Sequence, residues 1–168
     1  MSCSPKYRKM FMQMANTVSE QSYAVRLKVG CVVVKDDKVV AMSYNGTPKG
    51  CDNCCEERKY FDRHGGGWIS PDEIEMTYPY VDGDDRYSLK TKDEVIHAEQ
   101  NAIIQMALST ESIKDCSMFI THAPCLQCAK MVLQAGIKEL YFEQEYRDMS
   151  GVAFLLKYGV KVTHMPKV

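Results

Sequence analysis

One histidine, one glutamate and two cysteines stand at spacings that suit a hydrolytic zinc site. His97 and Glu99 lie in the segment HAE, and Cys125 and Cys128 lie in the segment PCLQC. Zinc favours imidazole nitrogen and thiolate sulfur in tetrahedral geometry, and three protein ligands leave the fourth position for water. We therefore predict that His97, Cys125 and Cys128 bind zinc and that Glu99 moves protons.

The charges of this ligand set favour catalysis. Two thiolates and a neutral imidazole balance the +2 charge of zinc, so a water in the fourth position must still lose a proton. Zinc lowers the pKa of such a water from about 15.7 toward about 7. Glu99, which is not needed as a ligand, would accept the proton as a general base.

Two helix N-termini are predicted to bring the ligands together. Cys125 and Cys128 are three positions apart, so they share one face at the start of a helix, and Pro124 suits the first turn. The positive end of the helix dipole favours thiolate over thiol. His97 begins a second predicted helix. Glu99 can approach the same ion because it lies with His97 in the first turn of that helix.

Two other interpretations of the cysteine pair are less favourable. A C-x-x-C segment in the cytosol can be a redox pair, but thioredoxin-like folds carry theirs after an early strand. A purely structural zinc needs a fourth ligand, which the motif does not supply nearby. It also leaves Glu99 without a role.

The hydrophobic pattern predicts an α/β protein with a mixed sheet, because strands alternate with helices in the second half of the chain. Helices are predicted at Pro5–Gln21, His97–Leu108, Cys125–Ala135 and Gly151–Tyr158, and strands at Val29–Val34, Val39–Tyr44, Ser117–Thr121, Glu139–Phe142 and Val160–His164. The pattern is weakest from 49 to 94. There we predict a short helix at Glu56–Arg63 within a long irregular insertion at about 56–94 that contains Gly65–Gly67. Loops of this length are usually functional or mobile.

Composition restricts the function classes. The 168 residues suit a single domain spanning 1–168, and the net charge of −1 gives no basic stripe for a nucleic-acid backbone. No apolar run approaches the roughly 18 residues of a membrane span. The eight cysteines, without a secretory signal, indicate a reducing cytosol where clustered thiols bind metal. We expect a soluble cytoplasmic protein that binds neither nucleic acid nor membranes.

Several segments resemble the zinc-dependent cytidine and deoxycytidylate deaminase superfamily, whose zinc motif is H-x-E followed by P-C-x-x-C. HAEQNAI at 97–103, APCLQCAK at 123–130, QAGIKELYF at 134–142 and YNGTPKG at 44–50 are similar to blocks of its dCMP branch. The resemblance covers most of residues 24–165 and thins out between 56 and 94. It implies a three-layer α/β/α fold around a central five-stranded mixed sheet.

The same resemblance implies an activity. It implies hydrolytic deamination of dCMP to dUMP, which supplies thymidylate synthesis, with Glu99 passing its proton to the ring nitrogen and then to the leaving ammonia. It further implies a homo-oligomer, commonly a hexamer, activated by dCTP with Mg²⁺ and inhibited by dTTP. The alternatives are a tRNA adenosine deaminase, a nucleoside or free-base deaminase with the same zinc site, and a non-catalytic zinc scaffold.

The resemblance also suggests residues that contact nucleotides. Asn45 resembles the asparagine that hydrogen-bonds the sugar, and Ala98 the residue whose backbone meets the pyrimidine. Pro124, beside the metal ligands, belongs to the same predicted set. Candidates for the 5′-phosphate are Arg26 and Tyr146 first, and then Lys28 and Arg147, because guanidinium and phenol groups suit phosphate oxygens. Tyr44, Gly46 and Lys49 lie in the loop expected to meet an effector nucleotide.

Three features depart from the family pattern. Gln100 stands where an apolar residue is common, and His122 replaces an apolar or serine-like residue. His122 either lines the pocket or faces out of its strand, and we expect it to be inert. Cys51, Cys54 and Cys55 with His64 raise the question of a second metal, but Tyr87 and Val95 stand where related zinc-binding histidines would be. We therefore expect free or buried thiols there.

Overall fold

A five-stranded mixed sheet forms the centre of the protein. The structure is a computed structural model and describes residues 3–62 and 69–167. The strands of this sheet run in the order β2-β1-β6-β7-β8. Its elements are β1 Gly30–Lys35, β2 Lys38–Tyr44, β6 Ser117–His122, β7 Glu139–Gln144 and β8 Lys161–His164. The helices are α1 Pro5–Ser19, α2 Pro71–Thr77, α3 Ala98–Ala107, α4 Leu126–Gln134 and α5 Ser150–Lys157, and a separate small sheet contains β3 Glu56–Tyr60, β4 Tyr80–Asp82 and β5 Asp85–Thr91.

The predicted three-layer α/β/α architecture is confirmed. β1 pairs antiparallel with β2 and β6, whereas β6, β7 and β8 are parallel. Helix α1 packs on one face of the sheet, and helices α3, α4 and α5 cover the other. Because both faces are covered, the central strands β1, β6 and β7 are buried almost throughout.

Helix α1 lies unusually close to the sheet at one glycine. Phe11 of α1 packs on Phe119 of β6, with ring centroids 5.4 Å apart. A Cβ on Gly30 would overlap the carbonyl oxygen of Ala15 and lie 2.7 Å from the backbone nitrogen of Ser19. Glycine is therefore required at this position for the helix to pack against the first strand.

The elements that hold the metal motif agree with the sequence prediction to within two residues at each end. The predicted short helix at Glu56–Arg63 is wrong, because residues 56–60 form strand β3 and pair antiparallel with β5. Cross-strand contacts explain the difference: Glu57 lies opposite Lys90, with Oε1 and Nζ 3.3 Å apart, and Tyr60 lies opposite Tyr87. Such pairs override the helix propensity of a charged segment.

The described parts of the insertion, 56–62 and 69–94, are thus largely regular. The small sheet has the order β3-β5-β4, and a two-residue turn at Gly83 and Asp84 joins β4 to β5. Gly83 adopts φ 62°, as such hairpin turns require. The predicted Gly65–Gly67 loop lies outside the described residues. None of the described helices has the length and apolar character that a membrane span needs.

Candidate active site

Two helix N-termini bring His97, Cys125 and Cys128 together. His97 is the residue that precedes α3, and Cys125 precedes α4. His97 Nδ1 lies 3.7 Å from Cys125 Sγ and 3.3 Å from Cys128 Sγ. Tetrahedral zinc at ordinary bond lengths separates nitrogen and sulfur ligands by about 3.5 Å. The donor set and its spacing therefore fit zinc, and it is the single cluster of this kind in residues 3–62 and 69–167.

Hydrogen bonds to the end of β2 fix the start of helix α3. Ser43 Oγ donates to the carbonyl oxygen of Ala98 at 2.7 Å, and Asn101 Nδ2 donates to that of Tyr44 at 3.2 Å. The backbone N–H of His97 donates to Gln100 Oε1 at 3.0 Å. Gln100, which departs from the family pattern, thus caps the helix that presents His97.

The two cysteines predicted to bind the metal, Cys125 and Cys128, lie where β6 turns into α4. The backbone N–H of Ala123 donates to the carbonyl oxygen of Gln144 at 2.8 Å, which holds the turn against β7. The backbone N–H of Cys128 donates to Cys125 Sγ at 3.5 Å, so Cys125 caps its own helix. This arrangement places both sulfur atoms within 3.7 Å of His97 Nδ1.

The two thiols have opposite pKa shifts. Hydrogen bonds from Cys128 and His97 lower the pKa of Cys125 to about 3. The pKa of Cys128 is raised, because it donates a hydrogen bond to Cys125 and is buried. The pKa of His97 is raised chiefly by its hydrogen bond with Cys125. One thiolate is therefore formed readily, and metal binding would displace the proton of the other.

Glu99 is a buried carboxylate beside the ligands. It is 4% exposed, and burial is the main cause of its raised pKa, against the opposing effect of its own backbone N–H and of His97. Cys31, on the neighbouring strand, has a pKa raised well above its usual value by burial and by the charge of Glu99. A carboxylate kept in such surroundings costs stability, which favours a functional role.

A cavity of about 370 Å³ opens onto this cluster. Its volume suits a small molecule of nucleotide size. It is lined by Ala24, Arg26, Leu27, Val29, Asn45, Glu56, Thr91, Val95, His97, Ala98, Glu99, His122, Ala123, Cys125, Tyr146 and Arg147. His97 and Cys125 of the cluster, the buried Glu99 and two arginines thus line one cavity.

Most of the predicted substrate residues line this cavity. Asn45, Ala98, Arg26 and Tyr146 do so, and Arg147, which stacks over the Tyr146 ring at 5.6 Å, does so as well. Pro124 is buried next to the cavity lining. Lys28, the remaining phosphate candidate, is not among the lining residues. Its Nζ donates to the carbonyl oxygen of Glu20 at the surface.

The predicted effector residues Tyr44, Gly46 and Lys49 are not among the residues that line the cavity. Gly46 forms a two-way backbone bridge with Ile96, the residue before His97. The carbonyl oxygen of Tyr44 accepts from Asn101, and Lys49 is exposed. This loop is therefore connected to the start of helix α3.

Asn45 has a structural task that its sequence did not reveal. Its Oδ1 accepts from the backbone N–H of Val29 at 2.8 Å, and its Nδ2 donates to the carbonyl oxygen of Leu27 at 2.9 Å. The amide thus spans the segment that leads into β1. One lone pair and one hydrogen remain for another partner.

Sequence reasoning missed Glu56 and Thr91, because it placed Glu56 in a short helix and Thr91 in an irregular insertion, whereas the two residues face each other in a sheet. His122 lines the cavity, and its Nδ1 lies 3.0 Å from Thr121 Oγ1.

Cys54 Sγ donates to the carbonyl oxygen of Glu56, and within the described chain no second metal cluster includes the Cys51–Cys55 segment. His64 lies outside the described residues.

Known proteins place the chain in a family. The family described as the cytidine and deoxycytidylate deaminase zinc-binding region matches residues 5–144. The deoxycytidylate deaminase of Enterobacteria phage T4 is 30% identical over 93% of this chain and 88% of its own length. The human deoxycytidylate deaminase is 33% identical over 86% of this chain and 67% of its own length. The protein therefore belongs to the cytidine and deoxycytidylate deaminase family.

Solved structures agree with this assignment. The dCMP deaminase of cyanophage S-TIM5, in complex with dCMP and dUMP, superposes with a TM-score of 0.75 at 35% identity, covering 98% of this chain and all of that one. A tRNA:A34 deaminase shares 20% identity with a TM-score of 0.54 over 94% of this chain. That second likeness shows the common fold alone.

Proposed function

We propose that the protein deaminates dCMP to dUMP and ammonia by hydrolysis. The observation that carries the proposal is the buried Glu99, which lines one cavity with His97 and Cys125 of the cluster that Cys128 completes. Family membership supports the deaminase chemistry. The similarity to dCMP deaminases over nearly the whole chain supports the nucleotide.

Glu99 is the residue that moves protons. Zinc, when held by His97, Cys125 and Cys128, supplies the Lewis acidity that makes water acidic near neutral pH. The Glu99 carboxylate accepts one proton from the attacking water and delivers it to N3 of the pyrimidine, where it stays in the product. It then accepts the second proton, from the hydroxyl group added at C4, and delivers it to the amino group, which leaves as ammonia while the C4 carbonyl forms. Its burial raises its pKa toward the working pH, which eases both acceptance and release of the proton.

The cavity lining supports the assignment of substrate contacts. The backbone of Ala98 would meet the pyrimidine next to Pro124, and Asn45 would hydrogen-bond the sugar through its remaining lone pair or hydrogen. Arg26 and Tyr146 would bind the 5′-phosphate, and the guanidinium group offers several donors for phosphate oxygens.

A substrate panel tests the proposal. With dCMP, CMP, deoxycytidine and cytosine as substrates, we expect kcat/KM to be highest for dCMP. Loss of a charge-assisted phosphate contact typically costs about 1.5–3 kcal/mol, so deoxycytidine should be at least about tenfold worse. Ammonia release measured for each compound gives the comparison. A preference for the unphosphorylated nucleoside, or turnover of tRNA adenosine instead, would contradict the substrate assignment.

We also propose that the active form is a cytosolic homo-oligomer, expected to be a hexamer, that dCTP with Mg²⁺ activates and dTTP inhibits. The loop containing Tyr44, Gly46 and Lys49 supports the regulatory part of this proposal. The backbone of Gly46 is hydrogen-bonded to that of Ile96, the residue directly before His97. A nucleotide bound at this loop would act on the metal cluster through that bridge. The eight cysteines are all free thiols, which agrees with a reducing compartment.

Effector kinetics test this regulation. Velocity plotted against dCMP concentration should be sigmoidal and become hyperbolic when dCTP and Mg²⁺ are added, while dTTP should shift the curve to higher concentrations. Steady-state kinetics combined with light scattering for oligomer size measure both points. Hyperbolic curves that neither nucleotide changes would remove the regulatory proposal without affecting the assignment of the reaction.

A further inference from the structure

Arg26 lies in a segment that has no regular structure of its own. The segment connects α1 to β1, and its residues Tyr23 and Val25 are 61% and 68% exposed. A long side chain on such a segment must lose many conformations before it can hold a ligand. Arg26 therefore needs support from elsewhere if it is to read a phosphate in the cavity.

The first strand of the small sheet supplies that support to the backbone. Glu56 Oε1 accepts from the backbone N–H of Val25 at 3.0 Å and from that of Arg26 at 3.1 Å. Glu56 is only 8% exposed. Hydrogen bonds to a carboxylate are stronger than those between neutral groups, and a buried one holds its partners firmly.

Strand β5, the central strand of the same sheet, holds the guanidinium group. Arg26 Nη1 donates to Thr91 Oγ1 at 3.1 Å. Glu56 and Thr91 are directly opposite each other in the antiparallel pairing of β3 with β5. One pair of facing residues thus fixes both ends of Arg26, and all three residues line the cavity.

A small apolar cluster joins this sheet to the segment. Ala24, Cys55 and Val95 are buried together. The backbone N–H of Lys92 donates to the carbonyl oxygen of Cys55 at 3.0 Å, which closes the base of the sheet. The sheet is therefore attached to the Arg26 segment both by packing and by hydrogen bonds.

We propose that Glu56 and Thr91 are positioning residues that hold Arg26 at the phosphate end of the substrate, so that the small sheet is a specificity element of the active site. The assignment rests on the proposed function. It gives the insertion a role in reading the nucleotide, since Glu56 orders the backbone of Arg26 and Thr91 aims its guanidinium group.

The test compares wild type with four variants: Thr91→Val, Thr91→Ser, Arg26→Ala, and the double variant that combines Arg26→Ala with Thr91→Val. Thr91→Val should raise KM for dCMP about three- to tenfold, as expected for one lost hydrogen bond, with little change in kcat. It should have a much smaller effect on deoxycytidine, which has no phosphate. Thr91→Ser should restore KM, because it keeps the hydroxyl group. The double variant should match Arg26→Ala, since Thr91 acts through Arg26.

Glu56→Gln provides an independent readout, with the exposed neighbour Glu57→Gln as its matched control on the same strand. Glu56→Gln should raise KM for dCMP more than for deoxycytidine, and Glu57→Gln should change neither. Equal losses on both substrates, or Thr91→Val adding its full effect to Arg26→Ala, would overturn the positioning role. A wild type without preference for dCMP over deoxycytidine would instead overturn the proposed function, and this assignment with it.

Discussion

Replacing Glu99 by glutamine is expected to lower kcat for dCMP by a factor of about 10²–10⁴, the usual contribution of a positioned proton-transfer group. Glutamine has nearly the same shape but cannot accept a proton from water. The free energy of unfolding should not fall, because the native carboxylate is 4% exposed and its burial disfavours the charged form. Activity and stability should therefore change independently.

Zinc content and a surface variant complete this experiment. Glu99→Gln should retain one zinc per chain, since the three ligands are unchanged, and urea unfolding should give an undiminished midpoint. Glu94→Gln is the matched control, because Glu94 is exposed and pairs with Lys92 at the surface. A Glu99→Gln protein that turns over dCMP at the wild-type rate would refute the proton-transfer role. Loss of zinc in this variant would show instead that Glu99 is a ligand.

The metal cluster was predictable because its geometry is local. Cys125 and Cys128 are three residues apart, so one helix turn brings their side chains to the same face. His97 begins a helix that the hydrophobic pattern indicates clearly. Bringing the two helix starts together required only the order of strands in an α/β sheet. The structure confirms both helices and places the possible ligand atoms of His97, Cys125 and Cys128 within 4.8 Å of one another.

The wall of the cavity formed by the small sheet was not predictable in the same way. Glu56 and Thr91 are far apart in sequence, and they meet because β3 and β5 pair. The segment 56–60 is rich in residues with high helix propensity, so its own pattern favours a helix. Pairing with a distant strand decides its structure, and a single sequence contains little information about such pairing.

Asn45 shows a third limit. The Asn-Gly dipeptide indicates a turn, and the family resemblance indicates a sugar contact. Neither reveals that the amide joins Leu27 and Val29 across the gap to β1. These contacts depend on the path of a segment without periodicity, which propensity does not determine.

Replacing Gly151 by alanine is expected to destabilise the protein and to weaken zinc binding. A Cβ at Gly151 would overlap the carbonyl oxygen of Pro124 and approach that of Cys125 to 2.8 Å. The Cys125 carbonyl already accepts from the backbone N–H of Ala129 at 2.9 Å in the first turn of α4. Helix α5 therefore rests directly on the backbone of the metal-ligand loop, with no space for a methyl group.

The expected loss in the free energy of unfolding is about 1–3 kcal/mol, the usual cost of overpacking. Alanine gains roughly 0.5–1 kcal/mol over glycine within a helix, which is too little to offset it. Relief of the overlap requires either α5 or the Pro124–Cys125 backbone to move. Movement of the backbone displaces Cys125 Sγ, so zinc affinity and kcat should fall together with stability.

Thermal unfolding, zinc titration with a competing chelator and dCMP kinetics measure these three effects. Gly46→Ala is the matched control for stability, because a Cβ there meets no atom within 4 Å. If Gly151→Ala lowers stability but keeps wild-type zinc affinity, then α5 yields and the ligand loop is held by β6 and α4 alone. If stability and zinc affinity are both unchanged, the close packing of α5 on the ligand loop is refuted, because the added methyl group would then have met no obstacle.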